Sequence, residues 1–519
     1  MAAVKTPSLN DRLMSRLKRP RLFPAGIIAA GLLCAQVVFT LFVYQSNRSL
    51  LKKLEAIAAA GYLPVPNTKI MAGLDGFQTA FCGGLFFTLT AGAALSLAAF
   101  CIACLWHHAG KRRLAMLPPI LIFWGIGIYH IAAHSHNLLL SAAFLLIPAI
   151  VAGLTLKWLF PENRQSSWWK PALLHGLVIL AIAGIWLPHW SSNVFINIRD
   201  QLLLTNPAGR AINSFYYRYT LYPAEAFKAL YQKQLKTAQI RVTDQKLTER
   251  LDKTLRRLDY LPVQRRMGRM EADLTVRHKG NELLLKHRGK TVLQLRPTRF
   301  FRSPESFLKT FSLKIDRLHH FRQFTFLSLI TASPLLLYLL LYTLVLNGLI
   351  LLSWGRKAEL VSALICLVIA AAIAASLYSL SKGAKGAYNQ AEIRARLQSE
   401  DWQARVGAMK TILSAETDAN NYEGAIIRLK NSDWTAERYW MAKVLCESDS
   451  EKTFQGLIQL LNDPHPNVVC AALYSLGRRK DPAAIAPIRG ILVSSDHWYI
   501  QLYAYNALKE LGWSQPASD

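Results

Sequence analysis

The sequence predicts a mainly α, polytopic helical membrane protein of about seven spans, with a small α+β extramembrane domain and a C-terminal α-solenoid. Three observations predict it. Hydrophobic residues make up 52% of the 519 and gather in seven runs, at 24–44, 78–106, 116–134, 138–157, 171–190, 325–353 and 358–381. Each is long enough to cross ~30 Å of hydrocarbon. Between the fifth and sixth runs lies a strongly basic segment with short alternating stretches, and from residue 401 the chain repeats itself. The expected domains are a basic cytoplasmic N-terminus (1–23), a five-span bundle (24–190), a basic α+β domain (191–323), two further spans (324–381) and a repeat solenoid (382–519).

The first run follows a polar, basic stretch and is not succeeded by a small-residue cleavage site, so it reads as a retained anchor. Orientation comes from Lys and Arg in short loops. Lys5, Arg12, Arg16, Lys18, Arg19 and Arg21, then Lys111, Arg112 and Arg113, then Lys157, Arg164 and Lys170 belong on the cytoplasmic side. The alternate loops are poorer, and AAHSHN between runs three and four has none. Seven crossings then place 191–323 and 382–519 on the outer face, the periplasmic one in the bacterial inner membrane expected for this chain. A re-entrant run among the first five would move both to the cytoplasm. Two spans separate them, so they share a face either way.

Apart from Lys157 and Glu359 at the ends of two of them, the runs hold no Asp, Glu, Lys or Arg. A coupled pump needs an ionisable group at mid-membrane to bind and release its ion, which demotes that class. Small residues at helical spacing, Gly26 with Ala30 and Ala371 with Ala375, suit close helix packing instead. Pro334, flanked by Thr331 and Ser333, is expected to kink the sixth span, with hydroxyls satisfying freed carbonyls. Five of the seven cysteines lie in apolar runs and their spacing shows no disulfide framework.

In SFYYRYTLYP, Phe215, Tyr216, Tyr217, Tyr219 and Tyr222 surround Arg218. Pro223 suits a helix start, and Phe227, Leu230, Tyr231 and Leu235 recur at helical spacing against Lys228, Lys233 and Lys236. The expectation is an interfacial element, rings at headgroup depth and lysines toward anionic lipid. Folding against the chain's own domain and a nucleic-acid platform are the other readings. Further on, TDQKLTERLDKTLRRLDYL aligns Leu247, Leu251, Leu255 and Leu258, and ADLTVRH, ELLLKH and TVLQLR read as a β-meander with KGN and RGK turns. Residues 196–322 carry 27 Lys and Arg against 11 Asp and Glu, which implies an acidic neighbour: anionic phospholipid, an acidic protein face or nucleic acid. HRGKT is not a phosphate loop, since Leu284 stands where the earlier glycine is needed.

DWQARVGAMKTIL, DWTAERYWMAKVL, DPHPNVVCAALYSLG and DHWYIQLYAYNALKELG begin at Asp401, Asp433, Asp463 and Asp496. A period near 30 residues marks a solenoid, and each Asp is placed to cap a helix. DPHPNVVCAALYSLGRRKDPAAIAPIRGIL resembles a HEAT-like repeat of the type in phycobilisome-lyase-like proteins, strongly in the last two units and weakly in the first two. The resemblance implies a curved α-solenoid that binds or scaffolds proteins. No residue set carries over a lyase activity.

CIACLWHH groups Cys101, Cys104, His107 and His108, and His130, His134, His136 and His189 gather near the expected outer surface. These are possible soft-metal or haem ligands, with a structural or interfacial role as the plainer reading. Covalent haem attachment is excluded because Leu105 follows Cys104. No nucleophile elbow, HExxH, paired acidic motif or glycine-rich cofactor loop is present, so no enzyme and no cofactor is expected. The leading function is a membrane-anchored scaffold or assembly factor, with a protein partner on the solenoid and anionic lipid or an acidic partner on the basic domain. The alternatives are the membrane subunit of a transport complex and a haem- or metal-binding redox protein. Nucleic acid is the least favoured partner, and no small-molecule substrate is indicated.

Overall fold

A computed structural model describes residues 23–109, 113–159, 169–189, 194–263, 271–352, 354, 357–384, 389–415 and 418–515. The basic residues 1–22, Lys111, Arg112 and Arg164 lie outside them. The chain divides into one unit of Met1–Leu41, Gly84–Leu180 and His320–Val368, and a second of Phe42–Gly83, Ala181–His319 and Ile369–Asp519.

The first unit is helical. It takes in the early part of α1 (Phe23–Ala59) and most of α2 (Phe77–His108), then α3 (Arg113–Gly127), α4 (Leu138–Leu159), most of α5 (Trp169–Trp186) and, later in the chain, nearly all of α12 (His319–Leu351) and the first part of α13 (Ala358–Ala384). Among the described residues six helices are long and apolar enough to cross a membrane: Pro24–Ala59, Phe77–His108, Leu114–Ile131, Leu138–Trp158, His319–Leu351 and Ala358–Ser376. The fifth run forms α5, whose apolar stretch Ala172–Trp186 falls short of that length. Close approach occurs at Gly31 and Gly92. A Cβ on Gly31 would lie 2.4 Å from Ser96 Oγ and one on Gly92 would lie 2.6 Å from Ala35 Cβ, whereas Gly26 has open space around it. Around Pro334, Thr331 returns its hydroxyl to Leu327 O at 2.8 Å, but Ser333 donates across to Leu89 O at 2.7 Å and so ties α12 to α2. A polar pair not foreseen from the sequence joins His175 Nδ1 to the Tyr338 hydroxyl at 2.8 Å.

The second unit contains the sheet and the solenoid. Before the sheet come α6 (Val194–Ile198), a π-helical turn Arg199–Leu203, α7 (Pro207–Tyr219) and α8 (Leu221–Phe227). Strands β1 (Lys236–Arg241), β2 (Tyr260–Pro262), β3 (Leu274–Lys279), β4 (Glu282–His287) and β5 (Lys290–Leu295) lie in the order β2-β1-β3-β4-β5. β3 to β5 are the antiparallel meander that the alternation predicts. β1 is parallel to both β2 and β3 and was not foreseen. A parallel neighbour requires a crossover, which α9 (Gln245–Arg257) supplies. Asp244 caps α9 by accepting from Leu247 N at 3.0 Å, and Leu251 and Leu255 bury against the sheet beside Phe300 and Phe311 of α10 (Pro297–Arg302) and α11 (Pro304–Ile315).

After α14 (Gln390–Leu397), the repeats place their first helices at α15 (Trp402–Ser414), α17 (Thr435–Val444), α19 (Pro466–Arg479) and α21 (Trp498–Glu510), with α16 (Glu423–Ile427), α18 (Glu451–Leu460) and α20 (Ile485–Ser494) between them. The opening aspartates do not all cap. Asp401 does, accepting from Gln403 N at 2.9 Å. Trp434 and His497 hold the cap positions after Asp433 and Asp496, without a side-chain cap bond. Asp463 accepts from His465 N at 2.8 Å and pairs with Arg438 of the preceding repeat at 2.6 Å. Arg405 pairs with buried Glu437 one repeat on, so charged links tie successive repeats together. The glycine of the LG dipeptide also serves packing: a Cβ on Gly477 would sit 2.9 Å from Ala507 Cα, in the backbone of α21.

Gly477→Ala should therefore force α19 and α21 apart and destabilise the chain by about 1–3 kcal/mol. Chemical denaturation of the detergent-solubilised protein measures it, and an unchanged midpoint would refute the tight contact.

Candidate functional site

The chain's own residues 197–222 lie along the face made by the first helices of the repeats. Each first helix contributes. Gln403 donates to Gln201 at 3.1 Å and Lys410 to Asn197 at 3.1 Å from α15. From α17, Trp440 Nε1 donates to Asp200 Oδ2 at 2.8 Å and Tyr439 offers its ring to Arg199 at 3.9 Å. Asn467 of α19 accepts from Asn213 at 3.0 Å. On α21, Tyr499 packs on Tyr217 at 4.9 Å between centroids and Trp498 meets Tyr222 edge-on at 5.0 Å.

Local sequence shapes this segment. Asn206 caps α7 by accepting from Gly209 N at 2.8 Å. A Cβ on Gly209 would lie 2.6 Å from the carbonyl oxygens of both Leu202 and Leu203, so only glycine lets α7 fold back on the π-helical turn. Within that turn Arg199 donates twice to Asp200 Oδ1, at 2.9 and 2.7 Å, and Lys410 Nζ lies 3.6 Å from Oδ2. Asp200 is fully buried. Burial works to lower the pKa of Arg199, but the Asp200 carboxylate, Tyr439 and Tyr217 together outweigh it and the net shift is upward. For Lys410 burial prevails over the same carboxylate and the shift is downward.

The rest of the solenoid is held by the same chain. Asn67 Nδ2 donates to Val493 O and Ser495 O at 2.9 Å each, and its backbone N donates to Gln501 Oε1 at 2.8 Å. Gln515 brackets Leu63 with bonds of 3.0 and 2.9 Å. Tyr505 donates to Asp259 Oδ1 at 2.6 Å, and Lys509 reaches the same carboxylate at 3.0 Å.

These contacts turn most residues of the expected interfacial element toward the chain's own fold. The helix does not run through Phe227 to Leu235: it ends at Phe227, and Lys236 begins β1. Tyr222 and Phe227 are buried, and Tyr217 and Tyr219 are half-buried. The lysines point inward. Lys233 pairs with buried Glu225 at 2.8 Å and Lys228 approaches it at 3.9 Å, while Lys236 reaches Leu258 O and the Tyr260 ring. Lys228 and Lys233, with Lys53, border a cavity of about 20 Å³, room for one water. Lys53 in turn pairs with Asp273, whose carboxyl burial would raise but whose pKa this ammonium brings below the ordinary value. Phe215, Tyr216 and Arg218 remain exposed.

The histidines are only partly assembled. His130 and His134 lie 5.9 and 5.8 Å, centroid to centroid, from His320, which the sequence reading did not include. His136 has a left-handed backbone in the following turn. His189 ends a short 3-10 turn, and its side chain lies outside the described residues. Among the described residues no group of three His, Cys, Asp or Glu is placed to hold a metal ion.

Residues 422–509 match the family model of HEAT repeats. The C-terminal region is thus built of HEAT repeats, the class of solenoid that its sequence resembles. No curated protein and no solved structure matches the chain.

Two outcomes follow. Asp200→Asn removes the carboxylate that Arg199 and Lys410 share and leaves two buried cations without a counter-charge, at a cost of about 3–5 kcal/mol. Thermal denaturation should show the loss, and limited proteolysis should show earlier cleavage within 199–222. His497 supplies a pH signature. Burial, and then the charge of Arg218, push its pKa down to about 4 against Asp496, which raises it. The unfolded chain takes up this proton near pH 6.5 and the folded one does not, so stability is complete above that pH and falls as pH drops toward 4. His497→Gln should flatten the decline in melting temperature over that window.

Proposed function

We propose that this protein is a membrane-anchored scaffold: apolar helices hold a HEAT-repeat solenoid at one side of a bilayer, where it binds another protein, with a basic domain beside it that docks on an acidic neighbour. The HEAT repeats carry the reading, since such solenoids are protein-interaction scaffolds. Outward apolar side chains on the long helices support the membrane anchor, among them Leu33, Leu337 and Leu344 at 70, 67 and 72% exposure.

Parity supports seven crossings over six. Residues 53–69 touch Asp273, Val493 and Ser495 in the second unit, so all of these share one side of the bilayer. An even number of crossings must then separate residue 76 from residue 194. The four runs 78–106, 116–134, 138–157 and 171–190 satisfy this if all cross, which includes the shorter α5. With the N-terminus inside, the solenoid and the sheet then lie on the outer face.

The in-chain segment leaves the second helices of the repeats as the open surface, where Glu451, Lys452, Gln455 and Arg489 are exposed. A partner captured by the wild-type protein should be lost with Lys452→Glu and Arg489→Glu together, while membrane insertion stays intact. Cysteines introduced at Asp75, Lys246 and Lys452 should all label from one side with an impermeant reagent. Labelling from opposite sides would overturn the topology, and capture indifferent to the charge reversals would overturn the binding face.

A further inference from the structure

We infer that α7 is an interfacial helix that couples the bilayer to the solenoid, and that Ile212, Phe215 and Tyr216 are the surface it offers to lipid. The inference rests on the membrane reading above. Two faces of one helix carry it. Gly209, Asn213 and Tyr217 recur every fourth residue and face the chain: Gly209 against the π-helical turn, Asn213 on Asn467, Tyr217 on Tyr499. Ile212, Phe215 and Tyr216, at i, i+3 and i+4, turn outward with 60, 43 and 51% exposure. Three large side chains in one exposed stripe need an apolar cover.

The depth of the helix points to lipid as that cover. Gln78 Nε2 donates to the Tyr219 hydroxyl at 3.2 Å, and a Cβ on Gly83 would lie 3.2 Å from Tyr222 Cβ. Gln78 and Gly83 belong to the first two turns of α2, an apolar helix of 32 residues. At 1.5 Å per residue such a helix exceeds the ~30 Å hydrocarbon core, so its first turns stand at headgroup level. The C-terminal end of α7 is fastened there, beside Phe77, which is 73% exposed. Arg210 and Arg218, both exposed, bracket the stripe at either end, where guanidinium groups meet lipid phosphates while their stems lie along the acyl boundary. Tyr216 bonds through its hydroxyl to Tyr499 of the solenoid, and the exposed part of its ring is what it offers to that layer.

Photocrosslinking of the full-length protein in nanodiscs of mixed neutral and anionic phospholipid tests it. Ile212→p-benzoylphenylalanine and Tyr216→p-benzoylphenylalanine should each give phospholipid adducts by mass spectrometry, as should Leu33→p-benzoylphenylalanine on α1, whereas Gln294→p-benzoylphenylalanine on exposed β5 should give none. Adducts at position 33 but not at 212 or 216 would overturn the proposal and leave the membrane reading standing. Crosslinks from 212 and 216 to protein would assign the stripe to a protein interface instead. Failure at position 33 as well would sink both.

Discussion

A single buried carboxylate, that of Asp200, organises the second unit. It accepts from Arg199 in its own π-helical turn and from Trp440 on the solenoid, and it lies 3.6 Å from the Lys410 ammonium. Two cations and an indole N–H in a water-poor setting demand an acceptor, because an unpaired buried charge costs several kcal/mol. The irregular backbone around Asp200 brings that acceptor to two repeats at once. Once Asp200 is fixed, Gly209 lets α7 fold back, and Asn213 and Tyr217 fall on the third and fourth repeats.

The solenoid therefore cannot be treated as a detachable module. Its first-helix face is filled by residues 197–222, its last repeat is pinned by Asn67 and Gln515, and α21 is tied to the sheet through Asp259. Repeat arrays need polar caps at their ends because terminal repeats have no neighbour to bury them. Here the loop around Asn67 and the edge of the sheet take that role at the C-terminal end. Stacked Trp402 and Trp434, centroids 5.1 Å apart, continue the contact between the first two repeats, where the sequence signal for the family is weakest.

What the sequence made legible was whatever follows from period. Apolar runs, the alternation of β3 to β5, the leucine stripe of α9 and the spacing of the repeats each reflect a single element meeting a single environment. The failures share a different cause. Residues 227–236 have helical spacing, but the buried charge of Glu225 recruits Lys228 and Lys233, and β1 recruits Lys236 into a sheet. Propensity lost to a nearby buried carboxylate and to strand partners some tens of residues along the chain. Asp433, Asp463 and Asp496 sit at the right positions to cap, yet only a structure distinguishes a cap from an inter-repeat ion pair with Arg438. His320 escaped notice because it joins His130 and His134 from a helix nearly 200 positions further along the chain, and no spacing encodes that.

Net charge likewise misplaces where the basic domain attracts. Its excess of Lys and Arg does not act as a uniform field, since Lys228, Lys233, Lys236 and Lys53 are committed inside to Glu225, Asp273 and the Tyr260 ring. The charges left outside include those on the open side of the sheet, besides Arg210, Arg218 and Lys246 on the helices. Side chains alternate across a strand, so with Val276, Leu283 and Leu285 turned to the core, Arg241, Arg277 and Lys279 stand on the other face, exposed. Register places Arg241 beside Arg277, a like-charge pair that gains from an anion laid across it, and Lys279 beside Glu282, its one acidic neighbour there. That face has no aromatic residue on which a base would stack, which separates it from single-strand nucleic-acid platforms. An acidic protein segment or a headgroup layer meets the same charges without needing a ring, so the chemistry of the neighbour is narrowed by what the strands omit as much as by what they present.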